Sequence, residues 1–177
     1  AFQVVSIVTT TGYVTTNFEL WPSMTHVVVL VLMVLGSMSG STGGGIKTLR
    51  SLLGFRALRV AFERLIHPRA VRSVKYAGHP VSEEVLAGIW AFFTAYFLIT
   101  AVAVIIITAA GYDLDTAFSA ALTAIGNVGP GLGQVGAYDT FAHFPSVIKL
   151  VLAFCMLAGR LEVFTLLVLL VPQFWRR

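Results

Sequence analysis

The sequence has 177 residues, 57% apolar and 11% charged, with 16 glycines, a formal net charge of +4 and a mean hydropathy of +0.87. An ordinary soluble domain has about 25% charged residues, so that class is excluded. Abundant Leu, Ile, Val and Phe exclude a disordered chain, and a lone cysteine, Cys155, excludes a disulfide scaffold. At roughly 20 apolar residues per bilayer crossing, the length accommodates about three or four crossings.

The chain opens AFQVVSIVTTTGY, with neither an initial Met nor a signal peptide, and reads as starting inside an element. The expectation is a C-terminal piece of a longer protein. Residues 1–11 are apolar but too short to cross, and they end in the polar stretch TTTGYVTTN at 9–17. Residues 24–35 (MTHVVVLVLMVL) look like half a span, which dissolves into GSMSGSTGGG at 36–45 and is expected to resume at Ile46. Five glycines and four hydroxyls in ten residues do not make a helix. Irregular backbone at membrane depth is tolerated only where protein buries it or where it lines a watery cavity.

Eight of the twelve basic residues follow (Lys47, Arg50, Arg56, Arg59, Arg64, Arg69, Arg72 and Lys75), and Arg176 and Arg177 close the chain. No stacking aromatics are interleaved with this run, which argues against nucleic acid as the partner. Lys and Arg collect on cytoplasmic loops, so the 47–80 connection and the C-terminus are expected in the cytoplasm. Segments 13–26 and 111–145, with Glu19, Asp113, Asp115 and Asp139 and no Lys or Arg, then face outward.

Residues 85–110 carry no charge and form the clearest transmembrane helix; Ser82, Glu83 and Glu84 before them suit a helix start. A short apolar segment at 115–125 runs into GNVGPGLGQVG at 126–136. The last span, 146–171, is nearly as apolar but has Gly159, Arg160 and Glu162 at its centre. Trp21, Tyr112, Tyr138 and Trp175 suit an interfacial aromatic belt. His26, His67, His79 and His143 lack metal-ligand spacing, and no catalytic triad or paired carboxylate is evident, so an enzyme is not expected.

The two short apolar segments read either as interfacial helices with ordinary turns or as re-entrant pore helices. An internal repeat favours the second. Ala1-Phe2 is echoed by Ala117-Phe118, and Thr10-Thr11-Gly12 by Asn127-Val128-Gly129. Each outward loop then ends in a proline, Pro22 or Pro145, fourteen residues before Gly36 or Gly159, where each inner helix is expected to break. A dehydrated cation needs close oxygen ligands, and a ring of backbone carbonyls supplies them. Thr10-Thr11-Gly12-Tyr13 and Asn127-Val128-Gly129-Pro130-Gly131 both resemble the Thr-Val-Gly-Tyr-Gly filter of potassium channels.

Gly-Ser-Thr-Gly-Gly-Gly-Ile-Lys at 40–47, Gly-Asn-Val-Gly-Pro-Gly-Leu-Gly at 126–133, Gly-Arg-Leu-Glu at 159–162 and Val-Pro-Gln-Phe-Trp-Arg at 171–176 resemble the TrkH-type membrane subunit of bacterial potassium uptake systems, in the TrkH/TrkG/KtrB superfamily. That resemblance implies an all-α polytopic protein of the inner membrane, built from potassium-channel-like helix, pore-loop, helix repeats. Residues 1–66 would supply the pore helix, filter loop and broken inner helix of a third repeat, and 67–81 a cytoplasmic connection. Residues 82–177 would be a complete fourth repeat, with outer helix 82–110, pore helix 115–125, filter 126–133 and inner helix 146–171.

By the same resemblance, potassium is the substrate, held by the filter residues Thr10, Thr11, Gly12, Asn127, Val128 and Gly129, and no covalently bound cofactor is expected. The gate is Gly36, Gly40, Gly43, Gly44 and Gly45 with Arg160. The partners implied are a second copy and a cytosolic nucleotide-binding, TrkA-like regulatory subunit, with any nucleotide on that subunit. The basic 47–80 segment would lie on its contact side, or simply attract phospholipid. A sodium-coupled KtrB-type subunit and a non-transporting scaffold are the alternative functions.

Arginine at mid-membrane is expensive, about 2.5–3.5 kcal/mol on insertion scales, and such residues usually face a bundle interior or a cavity. Arg160 therefore either faces the pore or pairs with another helix. The stretch 40–48 superficially resembles a phosphate-binding loop, but Ile46 separates its last glycine from Lys47 and no strand precedes it.

Overall fold

The computed structural model describes residues 1–36, 38–41, 43–67, 73–161, 165 and 168. Helix α1 (Phe2–Val8) is followed by a 3₁₀ turn at Phe18–Leu20 and helix α2 (Ser23–Val34). The glycine-rich loop leads to α3 (Thr48–Ile66), then to a two-residue antiparallel hairpin of β1 (Lys75–Tyr76) and β2 (His79–Pro80), with Lys75 opposite Pro80. Helices α4 (Glu83–Ala109), α5 (Leu114–Gly126) and α6 (Ser146–Arg160) complete the chain, with 3₁₀ turns at Gly133–Val135 and Phe141–His143 between the last two.

Local chemistry sets these boundaries. Pro22 and Pro145 stand immediately before α2 and α6, where their fixed φ and missing N–H cost nothing. Ser82 caps α4 by accepting from the Val85 N–H at 3.5 Å, and Glu83 and Glu84 in the first turn complement the helix dipole. At 27 residues α4 is about 40 Å long. It is the one helix, among the described residues, long and apolar enough to cross a bilayer.

The short helix α5 is enclosed by the others. Ala117, Ala120, Ala121, Ala124 and Ile125 are fully buried against Phe92, Tyr96, Ala103 and Ile107 of α4 and Ile148, Leu152 and Cys155 of α6. The alanines let three helix backbones approach closely, and the α6 residues recur at helical spacing along one face. A second cluster joins α1 to the far loop: Ile7, Phe18, Val29 and Met33 pack with Val128 and Leu132. The remaining flank of α1, with Phe2, Val4 and Val5, is exposed. Arg50 of α3 stacks over the Phe92 ring at 4.3 Å, and Arg56 Nη1 donates to the Lys75 carbonyl at 2.8 Å, tying α3 to α4 and to the hairpin.

Among the described residues the helices lie where the apolar pattern puts them, with three differences. The hairpin interrupts an otherwise helical chain. Gly126, expected as the first filter-loop residue, is the last residue of α5. The chain does not resume its helix at Ile46, which instead pairs with Leu35 in a parallel bridge, so that α3 starts at Thr48. Both inner helices do stop close to the expected glycines, α2 at Val34 and α6 at Arg160, although Gly159 itself is still helical. Glu162 and most of the remaining 161–177 segment, together with Ser37, Thr42, Arg69 and Arg72, fall outside the described residues.

Candidate functional site

The loops after α1 and α5 are built on the same hydrogen bonds. Thr10 N–H donates to Ile7 O at 3.1 Å and Thr11 N–H to Ser6 O at 2.9 Å; Asn127 N–H donates to Ala124 O at 3.1 Å and Val128 N–H to Thr123 O at 3.0 Å. The helix hydroxyls repeat the pattern. Ser6 Oγ donates to the Tyr13 carbonyl at 2.7 Å, and Thr123 Oγ1 donates to the Pro130 carbonyl at 3.0 Å. These bonds pair Ser6 with Thr123, Thr10 with Asn127 and Gly12 with Gly129. Ala1 then falls opposite Phe118, one residue off the Ala-Phe pairing visible in the sequence. Backbone bonding, not the identity of two helix residues, sets the register.

Backbone handedness alternates in both loops. Thr10 (φ +55°) and Gly12 (φ +75°) are left-handed on either side of Thr11, as are Asn127 (φ +54°) and Gly129 (φ +112°) on either side of Val128. Asn tolerates this region and commonly ends helices in it. A β-branched residue such as Thr10 occupies it only under strain, of the kind that collects at functional sites.

The second loop is braced further from below. Thr123 Oγ1 also accepts from the Gly129 N–H at 2.9 Å, Ser119 Oγ accepts from the Leu132 N–H at 3.0 Å, and Thr116 Oγ1 accepts from the Gln134 N–H at 3.2 Å. All three hydroxyl residues are buried. In the first loop Gln3 Nε2 donates to the Thr16 carbonyl at 3.1 Å. In the sequence these bracing residues carry a single signal, a hydroxyl residue six positions before each loop glycine, Ser6 before Gly12 and Thr123 before Gly129.

The two loops meet. A methyl group on Gly12 would fall on the Val128 carbonyl oxygen and lie 3.3 Å from Pro130 Cδ, so only glycine fits there. Val128 is buried, while Thr11 and Gly129 are exposed.

Beneath them, the glycine-rich loop closes on itself. Gly36 N–H donates to Ile46 O at 2.9 Å, Ile46 N–H to Val34 O at 3.1 Å, and Thr48 Oγ1 to Gly36 O at 3.3 Å, so the neck at Gly36 and Gly45 is pinned. Gly43 N–H donates to Ser41 Oγ at 3.3 Å, and the tip at Met38, Ser39 and Gly40 is exposed. On its inner side Gly44 presses against α5: a Cβ there would strike the Gly126 carbonyl. Gly159 of α6 does the same against the Ile125 carbonyl. This close approach explains a glycine inside α6. Both glycines thus cover the carbonyl end of α5, where the helix dipole is negative. Arg160, the next residue, is exposed at the end of α6.

The structure therefore joins the two loops at Gly12 and Val128, sets Gly44 and the α6 terminus against the carbonyl end of α5, and leaves Gly40 at the exposed tip of its loop. Glu19, Ser23, His26, Asp115 and Gly133 line a cleft of about 480 Å³. His26 Nε2 lies 3.2 Å from the Phe18 carbonyl, a local structural role.

A helix long and apolar enough to cross a bilayer, packed beside irregular glycine-bearing loops, suits a membrane protein. Residues 1–177 match the TrkH family, described as a cation transport protein. The Trk system potassium uptake protein TrkH of Salmonella typhimurium is 45% identical over 175 residues, covering 99% of this chain and 36% of that protein. The Trk system potassium uptake protein TrkG of Escherichia coli K12 is 34% identical over the same proportions. The crystal structure of the potassium transporter TrkH from Vibrio parahaemolyticus matches with a TM-score of 0.89 at 42% identity, over 98% of this chain and 37% of that one. The chain belongs to the TrkH family of cation transport proteins, and it spans little more than a third of the length of the curated relatives it matches.

Proposed function

We propose that the intact protein takes up potassium across a bacterial inner membrane through a pore to which this chain contributes two of four quarters. The observation that carries the reading is the pair of loops bonded in one register, alternating in backbone handedness and touching at Gly12 and Val128. Alternation of left- and right-handed residues turns successive carbonyls toward one side, which an extended strand does not do. The carbonyls of Thr10, Thr11 and Gly12, and of Asn127, Val128 and Gly129, then replace part of the hydration shell of a cation without fixed negative charge. The buried hydroxyls of Ser6 and Thr123 bond to the next carbonyls along, Tyr13 O and Pro130 O, so each loop backbone is arranged before the ion arrives. Kinship with proteins named for potassium uptake supplies the ion.

Below the filter, the loop of Gly36, Gly40, Gly43, Gly44 and Gly45 serves as the gate. Its contact with the Gly126 carbonyl occludes the floor, and its pinned neck lets it swing without unravelling α2 or α3. Arg160 opposes cation passage at the same level and holds the loop. The basic face of 47–80 lies toward the cytoplasm, on the side available to a nucleotide-binding regulatory subunit, and the protein works as a dimer.

The test is rubidium or potassium uptake by the full-length protein in cells deficient in potassium uptake. Uptake is expected, and it is lost on Gly12→Ser or Gly129→Ser. If both variants transport normally, the filter assignment is wrong.

A further inference from the structure

Asn127 does more than adopt a left-handed backbone. Its side-chain Nδ2 donates to the Met156 carbonyl of α6 at 3.0 Å. That carbonyl lies one helical turn before Arg160. The same nitrogen would be 3.1 Å from a Cβ placed on Gly44 of the glycine-rich loop, and 3.1 Å from one placed on Gly159 of α6. One carboxamide thus touches three elements: it grows from the filter backbone, bonds to the inner helix, and abuts the loop. Only a nitrogen can donate to a carbonyl, which fixes the orientation of the amide. The equivalent position in the first loop, Thr10, has a shorter side chain with no such reach.

We propose that the Asn127 side chain is a positioning residue that couples the filter to the gate, so that ion occupancy of the filter biases the position of the glycine-rich loop and the loop in turn biases the filter. This rests on the filter and gate reading above. Rotation of the filter peptide at Asn127 shifts the amide. The amide then pulls on the α6 turn that carries Gly159 and Arg160, or presses on Gly44. Coupling of this kind is reciprocal in binding free energy. The competing explanation is purely local: asparagine is present only because it suits φ +54°. Glycine suits that φ equally well, so Asn127→Gly separates the two accounts by deleting the amide and keeping the backbone.

The experiment uses the full-length protein in liposomes, with Met38→Cys as a reporter on the exposed loop tip and the buried Cys155 replaced by Ser. Two quantities are read: potassium over sodium flux, and the rate at which a charged thiol reagent labels Met38→Cys in potassium and in sodium. With Asn127 present, potassium is expected to change the labelling rate by about three- to tenfold, the scale of one hydrogen bond. In Asn127→Gly that difference collapses and ion discrimination falls by a similar factor. Asn127→Asp keeps the shape but sets a carboxylate against the Met156 carbonyl, and is expected to label fast in both ions.

A labelling rate indifferent to potassium when Asn127 is present, or an unchanged potassium effect in either variant, overturns the proposal. Failure of the filter reading is distinguishable, because Gly12→Ser and Gly129→Ser would then leave potassium flux normal, whatever the labelling of Met38→Cys shows.

Discussion

Gly12→Ala is the sharpest probe of the filter geometry. The new methyl group meets two separate penalties. At φ +75° an L-residue sits in the left-handed region, which costs about 1–2 kcal/mol. The Cβ also falls on the Val128 carbonyl oxygen. That carbonyl cannot easily retreat, because Val128 N–H is bonded to Thr123 O at 3.0 Å and Gly129 N–H to Thr123 Oγ1 at 2.9 Å. Forced overpacking of this kind adds about 1–3 kcal/mol. The total, about 2–5 kcal/mol, is a large part of the 5–15 kcal/mol that typically stabilises a domain.

The protein is expected to reach the membrane with its two loops spread apart. Rubidium uptake by cells expressing the full-length variant should drop about tenfold or more, since 1.4 kcal/mol already corresponds to a factor of ten. The control is Gly78→Ala in the hairpin turn, at φ +86° with nothing within 4 Å of the added methyl. It bears the backbone penalty alone and should leave uptake within about twofold. Equal membrane abundance with unchanged uptake and ion discrimination in Gly12→Ala would refute the claim that the loops meet there.

Thr123→Val removes a hydroxyl that braces two backbone groups, leaving the partly exposed Gly129 N–H and Pro130 O without it. It should cost about 0.5–1.5 kcal/mol for each lost bond, read as a lower unfolding temperature in detergent and restored by Thr123→Ser. Ser6→Ala loses one bond, to Tyr13 O, and should cost less in the same melt. Gly44→Ala drives a methyl group into the Gly126 carbonyl and pushes the loop off the carbonyl end of α5; potassium leak from liposomes should rise several-fold over the unmodified protein, and an unchanged leak would count against the loop as gate. Arg160→Ala should raise flux or weaken its regulation in the intact protein, and no change in either would remove Arg160 from the gate.

Much of the fold is legible in the sequence because the bilayer imposes simple rules. An uncharged run as long as 85–110 has almost no other use, and prolines at 22 and 145 announce the helices after them. The twin loops are legible too, since Thr10-Thr11-Gly12 and Asn127-Val128-Gly129 recur in the same order after a short apolar helix and before a proline-led one.

The hydroxyls of Ser6, Ser119, Thr116 and Thr123 look like ordinary helix polar residues in the sequence, because nothing local says that their partners lie up to eighteen residues ahead. Gly159 looks like a helix breaker for a similar reason. Glycine is permissive in backbone angle and also minimal in volume, and a sequence does not say which property is used. At Gly12 both are; at Gly159 only the second is, because α6 stays helical and needs room for the Ile125 carbonyl.

Local chemistry, repeated along one chain, determined which residues build helices, where those helices start, and which triplets form the twin loops. Tertiary structure alone decided that the loops face each other at Gly12 and Val128, that the Gly36–Gly45 loop lies beneath them, and that Asn127 reaches α6. These are contacts between segments distant in sequence, fixed by how closely glycine and alanine surfaces let backbones approach, and no periodicity in a single segment encodes them.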